Sequence, residues 1–396
     1  MREFIIEESK KIREQFLWRS LSVLENSGTT EIVLDGKRCV NFSSNDYLGY
    51  SQHPYVIEKA REVLSRFGCG GRSSRLISGT LGLHRELEEK IAKFKNTESA
   101  LLFPTGFMAN LGVISALLGA GDAVIMDRLN HASLVDAAKL SRCRLFVYEH
   151  GSSASLEKTL VRTGSYGKRL VVTDSLFSMD GDIAPLNEML QICGKHKVWL
   201  MVDDAHATGV FGEQGIGIAE HQGLLGQIDI VMGTLSKALG SQGGFVCGSK
   251  ELIEFLVNRA RPFIFTTALS PVSCAAAMAA LELVGKEPER RRKLLQLSGK
   301  LRKGLREKFP LESKLIGETA TPIVPFWTGS AENTLRLSRS LRESGIFVPA
   351  IRPPTIPRNE CRLRFSLTSE HTEEQIENLI ASLSLLPLDG GGKRWG

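Results

Sequence analysis

Apolar and polar positions change their period along the chain, and the changes divide it into elements. Residues 7–25 place apolar side chains at helical spacing and predict an amphipathic helix. Next comes EIVLDGKRCVNF, in which Asp35-Gly36 separates two short strand-like runs and predicts a hairpin. Helical spacing returns over Pro54 to Phe67 and Leu83 to Phe94. The middle of the chain alternates. Strand-like runs occur at 99–103, 123–127, 144–148, 169–174, 198–204, 228–233 and 243–249, with helical segments such as 107–118, 132–140 and 186–196 between most of them. Near-continuous apolar strands with intervening helices predict an α/β fold whose mostly parallel central sheet carries helices on both faces.

Residues 271–309 read as helical throughout. A smaller α+β segment follows, with strands in 321–327, 346–354 and 362–367 and a helix near 332–344. The expected organisation is an N-terminal helix and hairpin segment (1–50), a large domain (51–280) and a small C-terminal α+β domain (281–396). The last stretch, LDGGGKRWG, reads as a disordered tail.

Composition adds boundaries to this picture. At 396 residues, 42% hydrophobic and 24% charged, the chain has enough apolar material for a sizeable core and does not look disordered. The net charge of +6 is scattered rather than gathered in a basic run, which argues against a nucleic-acid partner. The seven cysteines form no C-x-x-C pair, so neither a metal site nor a disulfide framework is indicated. No apolar run approaches the ~18 residues that span a bilayer, and no signal-type stretch opens the chain. A cytoplasmic protein without a membrane partner is expected.

Two stretches carry candidate chemistry. In VWLMVDDAHATG (198–209) an apolar strand ends in Asp203 and Asp204, with His206 at the start of a turn. Ligands of open parallel sheets bind beyond the carboxyl ends of the strands, so acids there are better candidates than acids in mid-strand. A capping carboxylate beside a surface histidine is the plainer alternative. In IDIVMGTLSKALGSQGGFVCG (228–248) another buried strand is followed by Thr234, Ser236 and Lys237. Burial disfavours an ammonium, so a lysine placed there could act as a Schiff-base amine, against the alternative of an ordinary surface lysine.

Together the two stretches suit pyridoxal phosphate. That cofactor needs a lysine imine, a carboxylate that keeps its ring nitrogen protonated, and phosphate anchors. PTGFMAN (104–110) supplies a glycine at a strand-to-helix turn, where free amides suit a phosphate. The glycine-rich GCGGRSSRLISG (68–79) is not a dinucleotide loop, since no strand precedes it and no acid follows at the required distance.

Seven segments occur in the same order as in one family: NFSSNDYLG, the glycine-rich run ending SG-x4-H-x2-LE, TGFMAN, NHAS, DSLFSMDGD, DDAHATG and TLSKALG. Over roughly residues 15–380 the chain resembles the α-oxoamine synthases. These are fold-type-I pyridoxal-phosphate transferases that join an amino acid to an acyl thioester with loss of carbon dioxide. The resemblance implies a homodimer and a set of roles. Lys237 would hold the cofactor and move the α-proton, Asp203 would pair with the ring nitrogen, and His206 would bond the phenolic oxygen. His131 would lie against the ring. Gly106, Phe107, Ser178 and Thr234 would take the phosphate, with Thr266 reaching it from a second copy.

Within the family, NFSSNDYLG and AIRPPTIP (350–357) most resemble members that use L-alanine and a pimeloyl thioester, carried on coenzyme A or on a carrier protein. Arg352 would bind a substrate carboxylate through its guanidinium fork, with Arg19, Asn45 and Thr355 as further substrate contacts. The competing assignment is a member that uses glycine, such as a glycine C-acetyltransferase. One departure is Arg72, which stands in the glycine-rich loop where the family commonly has a small residue.

Overall fold

The structure is a computed structural model that describes residues 1–26 and 28–388. The predicted tail therefore lies outside the described residues from 389 onward. Two compact units are present. One comprises residues 48–178 and 183–291, and the other is built from residues 1–47, 179–182 and the chain from Arg292 on.

The larger unit contains seven strands: β3 (Ser99–Phe103), β4 (Ala123–Asp127), β5 (Arg144–Tyr148), β6 (Arg169–Asp174), β7 (Trp199–Asp203), β8 (Ile230–Thr234) and β9 (Gly244–Gly248). Their order across the sheet is β3-β9-β8-β7-β6-β4-β5. Neighbours from β8 to β5 run parallel, and β9 is antiparallel to both β8 and β3. Every residue of β4, β8 and β9 is buried, which is why these strands read as unbroken apolar runs rather than as alternations. On one face, Phe103, Val124, Met126, Val172, Met201 and Met232 pack with Val113 and Ile114 of the helix Gly106–Leu117 and Leu134 of the helix Ala132–Ser141.

Helix limits in this unit follow local chemistry. Pro54 opens the helix Pro54–Phe67, His53 caps it by accepting the Tyr55 N–H at 3.2 Å, and Gly68 at φ 76° ends it. The stretch 271–309 is two helices, Pro271–Lys286 and Pro288–Lys308, rather than one. Pro288 lacks the N–H that would continue the first helix and pushes Glu287 out of helical geometry.

The smaller unit has two three-stranded sheets. The first joins β1 (Glu31–Leu34), β2 (Lys37–Asn41) and β11 (Ile346–Phe347). The predicted hairpin turn is present, with Asp35 at φ 50° and Gly36 at φ 72°. The second has the order β10 (Ile323–Gly329), β13 (Cys361–Ser366), β12 (Ala350–Ile351). The expected helix over 7–25 is corrected. It runs Arg2–Glu14, with no buried residue, and Phe16 turns out of it at φ 57°. Beyond that point tertiary hydrogen bonds override the helical spacing. The carbonyls of Phe16 and Trp18 accept from Arg352, and Glu25 N–H donates to Val33 at 2.9 Å.

Candidate functional site

The carboxyl ends of β3, β4, β6, β7 and β8 deliver Thr105, Asp127, Asp174, Asp203 and Thr234 to the same edge of the sheet. In a parallel sheet this is the edge where ligands bind.

The amides predicted to take a phosphate are set by the turn after β3. Thr105 caps the helix Gly106–Leu117 by accepting the Met108 N–H at 3.1 Å, which leaves the amides of Gly106 and Phe107 without an acceptor inside the helix. Glycine is required opposite them. A Cβ on Gly244 would stand 2.6 Å from the Gly106 nitrogen and from the Thr105 carbonyl carbon. Thr234, the last residue of β8, lies beside this turn, with its Cβ 3.6 Å from where a Gly106 Cβ would stand. Its hydroxyl donates to Gly243 O at 2.8 Å and accepts the Ser236 N–H. Ser178 is half-buried in the loop after β6. Thr266 is half-buried after the short helix Arg261–Ile264, beside the bridge between Ser74 and Thr267. In that glycine-rich loop Arg72 is exposed, takes φ 63° and donates to Phe67 O.

The acid, the amine and the two histidines gather around the ends of β6, β7 and β8. Asp203 is 4% exposed, and each of its oxygens accepts one N–H: Oδ2 from Asn110 at 2.8 Å and Oδ1 from Ala205 at 3.0 Å. A carboxylate has room for further donors on both oxygens. His206 is buried three residues on, and Lys237 is half-buried after β8. His131 caps the helix Ala132–Ser141. Its Nδ1 contacts Ser133 Oγ at 2.7 Å, and its backbone N–H donates to Asp174 at 2.9 Å. His131 is exposed at the surface, while its surroundings still desolvate the ring. Enclosure lowers the His131 pKa and the Lys237 charge adds to this, outweighing the opposing pull of Asp203. Burial, reinforced by the charge of Asp203, holds the Asp174 carboxyl well above the usual carboxylate range.

Asp203 and Asp204 are adjacent in the sequence, and the structure gives them different partners. Asp204 accepts from the ammonium of Lys95 at 2.8 Å, from Ser175 Oγ at 2.7 Å and from Thr208. It is a buried structural ion pair.

The substrate candidates lie in the smaller unit. Arg19 and Arg352, 333 positions apart, come together because the segment after the first helix returns along residues 352–353. Arg19 donates to Pro353 O at 2.8 Å and Arg352 to the carbonyls of Phe16 and Trp18. Among the described residues neither guanidinium makes an ion pair. Arg352 is 7% exposed with its Nε unpartnered, and burial together with the charge of Arg19 lowers its pKa. Thr355 is exposed and donates its backbone N–H to Arg352 O at 3.2 Å. Asn45 Oδ1 accepts from Arg364 at 3.3 Å. Arg364 is buried on β13, also donates to Ser366 Oγ at 2.8 Å, and was not singled out from the sequence. The available signal was RLRF, in which two arginines alternate with apolar residues on a strand that should be buried. Its partner Arg362 is tied to Asp180 and Glu360.

The larger unit thus holds an amine, an ionisable acid with free lone pairs, two histidines and a pair of helix-end amides walled by glycine. This set fits a pyridoxal phosphate. The family described as aminotransferase class I and II matches residues 37–383. An 8-amino-7-oxononanoate synthase of Thioalkalivibrio sulfidiphilus is 47% identical over 377 residues, 95% of either chain. One of Lysinibacillus sphaericus is 41% identical, over 97% of this chain and 98% of its own. Among solved structures, a serine palmitoyltransferase of S. paucimobilis with a bound pyridoxal-phosphate adduct superposes at a TM-score of 0.90, with 35% identity over 96% of both chains. An 8-amino-7-oxononanoate synthase of Francisella tularensis superposes at 0.76, with 29% identity over 87% of this chain and 97% of its own.

Proposed function

The chain belongs to the class I and II aminotransferase family, and on that premise we propose that it joins L-alanine to a pimeloyl thioester with loss of carbon dioxide, yielding 8-amino-7-oxononanoate for biotin synthesis. It is a pyridoxal-phosphate-dependent, acyl-transferring enzyme of fold type I. Bound pyridoxal phosphate supplies an electron sink for the carbanion that attacks the thioester and for the decarboxylation that follows.

The chain's own residues divide the remaining work. Lys237 holds the cofactor through its amine and carries the proton at the substrate's α-carbon. Asp203, held in place by the N–H donors of Asn110 and Ala205, pairs with the ring N–H. His206 donates to the phenolic oxygen. His131 lies against the ring and orients the acyl group. The amides of Gly106 and Phe107, with Ser178 and Thr234, take the phosphate, and Thr266 completes the set from a second copy. In the smaller unit Asn45 and Thr355 are further substrate contacts. Among the described residues no helix is long and apolar enough to cross a membrane, in keeping with a cytoplasmic enzyme.

The single observation that carries the choice of acyl donor is the Arg19–Arg352 pair. Two guanidiniums without a carboxylate partner, one with a buried orphan Nε, match a donor that ends in a free carboxylate. A plain acetyl or long alkyl donor offers nothing to such a pair. The test supplies alanine or glycine with pimeloyl, acetyl and palmitoyl thioesters, on coenzyme A and on a carrier protein, and follows thiol release. Alanine with pimeloyl thioester should turn over fastest. Turnover with glycine and acetyl-coenzyme A alone would overturn the reading.

A further inference from the structure

Two residues, Ser133 and Asn110, join the ring of His131 to the carboxylate of Asp203 through hydrogen bonds whose directions can be worked out. The side-chain nitrogen of Asn110 lies 2.8 Å from Asp203 Oδ2 and 2.8 Å from Ser133 Oγ. Turning the amide over would aim its oxygen at a carboxylate, so the nitrogen must face Asp203. Its two hydrogens are then both used, one on each neighbour. Ser133 Oγ is therefore an acceptor from Asn110, and its own hydrogen is free to go elsewhere. The group within reach is His131 Nδ1, at 2.7 Å, and the backbone N–H of Ser133 points at the same nitrogen at 3.3 Å. Nδ1 receives two donors and cannot itself carry a proton without leaving both unpaired.

Asn110 and Ser133 are 1% and 0% exposed, so water offers neither an alternative partner. We infer that Asn110 and Ser133 are positioning residues that hold His131 in the neutral Nε2–H form and tie its ring to the carboxylate of Asp203. With Nδ1 taken, the other ring nitrogen of this exposed histidine presents an N–H donor and no base. In the proposed reaction that donor suits the acyl oxygen, which gains negative charge on attack. Asp203 from β7, Lys237 after β8, Asp136 on the same helix and Asp174 from β6 are the charged or titratable groups acting on His131. None of the four reaches Nδ1 in place of Ser133 in the contacts described. The catalytic use rests on the proposed function, whereas the tautomer does not.

The test labels the full-length protein with 15N-histidine and records imidazole spectra with and without pyridoxal phosphate, His131 being assigned by the signal lost in His131→Gln. In the wild type Nδ1 should resonate as an unprotonated nitrogen and Nε2 as a protonated one, in both states. Ser133→Ala should give a tautomer mixture and an upward shift of the His131 titration, Asn110→Ala a partial loss of preference, and Ser133→Thr the wild-type pattern. In turnover, Ser133→Ala should lose roughly tenfold in kcat with KM for both substrates nearly unchanged, as for removal of an orienting partner. A protonated Nδ1 in the wild type overturns the inference and leaves the enzyme assignment intact. So does a Ser133→Ala spectrum identical to the wild type. Should that variant fail to fold, the wild-type spectrum still decides. Correct tautomers in a chain that turns over no thioester would instead reject the proposed function.

Discussion

Lys95 and Asp204 form a buried ion pair, 2.8 Å from nitrogen to oxygen, one residue away from the carboxylate of Asp203. The two side chains are 2% and 3% exposed, and Lys95 also donates to Thr208 Oγ and to Ile216 O. Removing one partner leaves the other charged and buried. Lys95→Met should therefore cost about 3–5 kcal/mol of unfolding free energy. Urea unfolding followed by circular dichroism measures this. The folded fraction should keep its kcat, because the pair touches none of the proposed reacting groups.

Arg19→Ala and Arg352→Ala should each raise KM for a pimeloyl thioester by one to two orders of magnitude, corresponding to loss of a charge-assisted contact of about 1.5–3 kcal/mol. Slow turnover of an acyl donor that ends in a methyl group should be unchanged. Steady-state kinetics with the two donors in parallel separates a carboxylate contact from general damage.

Gly244→Ala should weaken cofactor binding by roughly fivefold to 150-fold, the cost of a backbone clash of about 1–3 kcal/mol. The added methyl would meet the Gly106 amide and the Thr105 carbonyl, which cannot move without breaking the turn. Titration of the cofactor-free protein with pyridoxal phosphate, followed by absorbance, checks it.

His371 gives stability a pH dependence that the reaction does not need. Its ring is fully buried and stacks on Phe42 at 4.5 Å, and burial depresses its pKa from 6.5 to about 4. The folded chain thus binds this proton more weakly than the unfolded one. The stability due to the neutral ring is complete above pH 6.5 and is lost as pH falls toward about 4. The loss is roughly 3 kcal/mol at most. Urea midpoints across that window should fall less steeply in His371→Leu than in the wild type.

The sheet could be read in advance because its strands are buried on both faces. AVIMD, RLFVY and RLVVTD are strands over the same residues in sequence and structure. The strand-end position of Asp203 followed from the same pattern. What stayed hidden was set by tertiary partners. Nothing local distinguishes Asp204 from Asp203, since the difference is made by Lys95, 109 positions away. The helix expected over 7–25 continues in spacing past Phe16, yet the Phe16 and Trp18 carbonyls are claimed by Arg352. The place of Arg364 is set by Asn45, 319 positions away, and by Ser366, and no local pattern shows that pairing.

The whole assignment rests on the amine of Lys237, and replacing it tests the account most directly. Purified Lys237→Ala, given pyridoxal phosphate, should lack the visible absorption band of a lysine-bound cofactor and show no thiol release with alanine and pimeloyl thioester, while its circular dichroism matches the wild type. A folded Lys237→Ala protein that keeps both the band and the turnover would contradict the account.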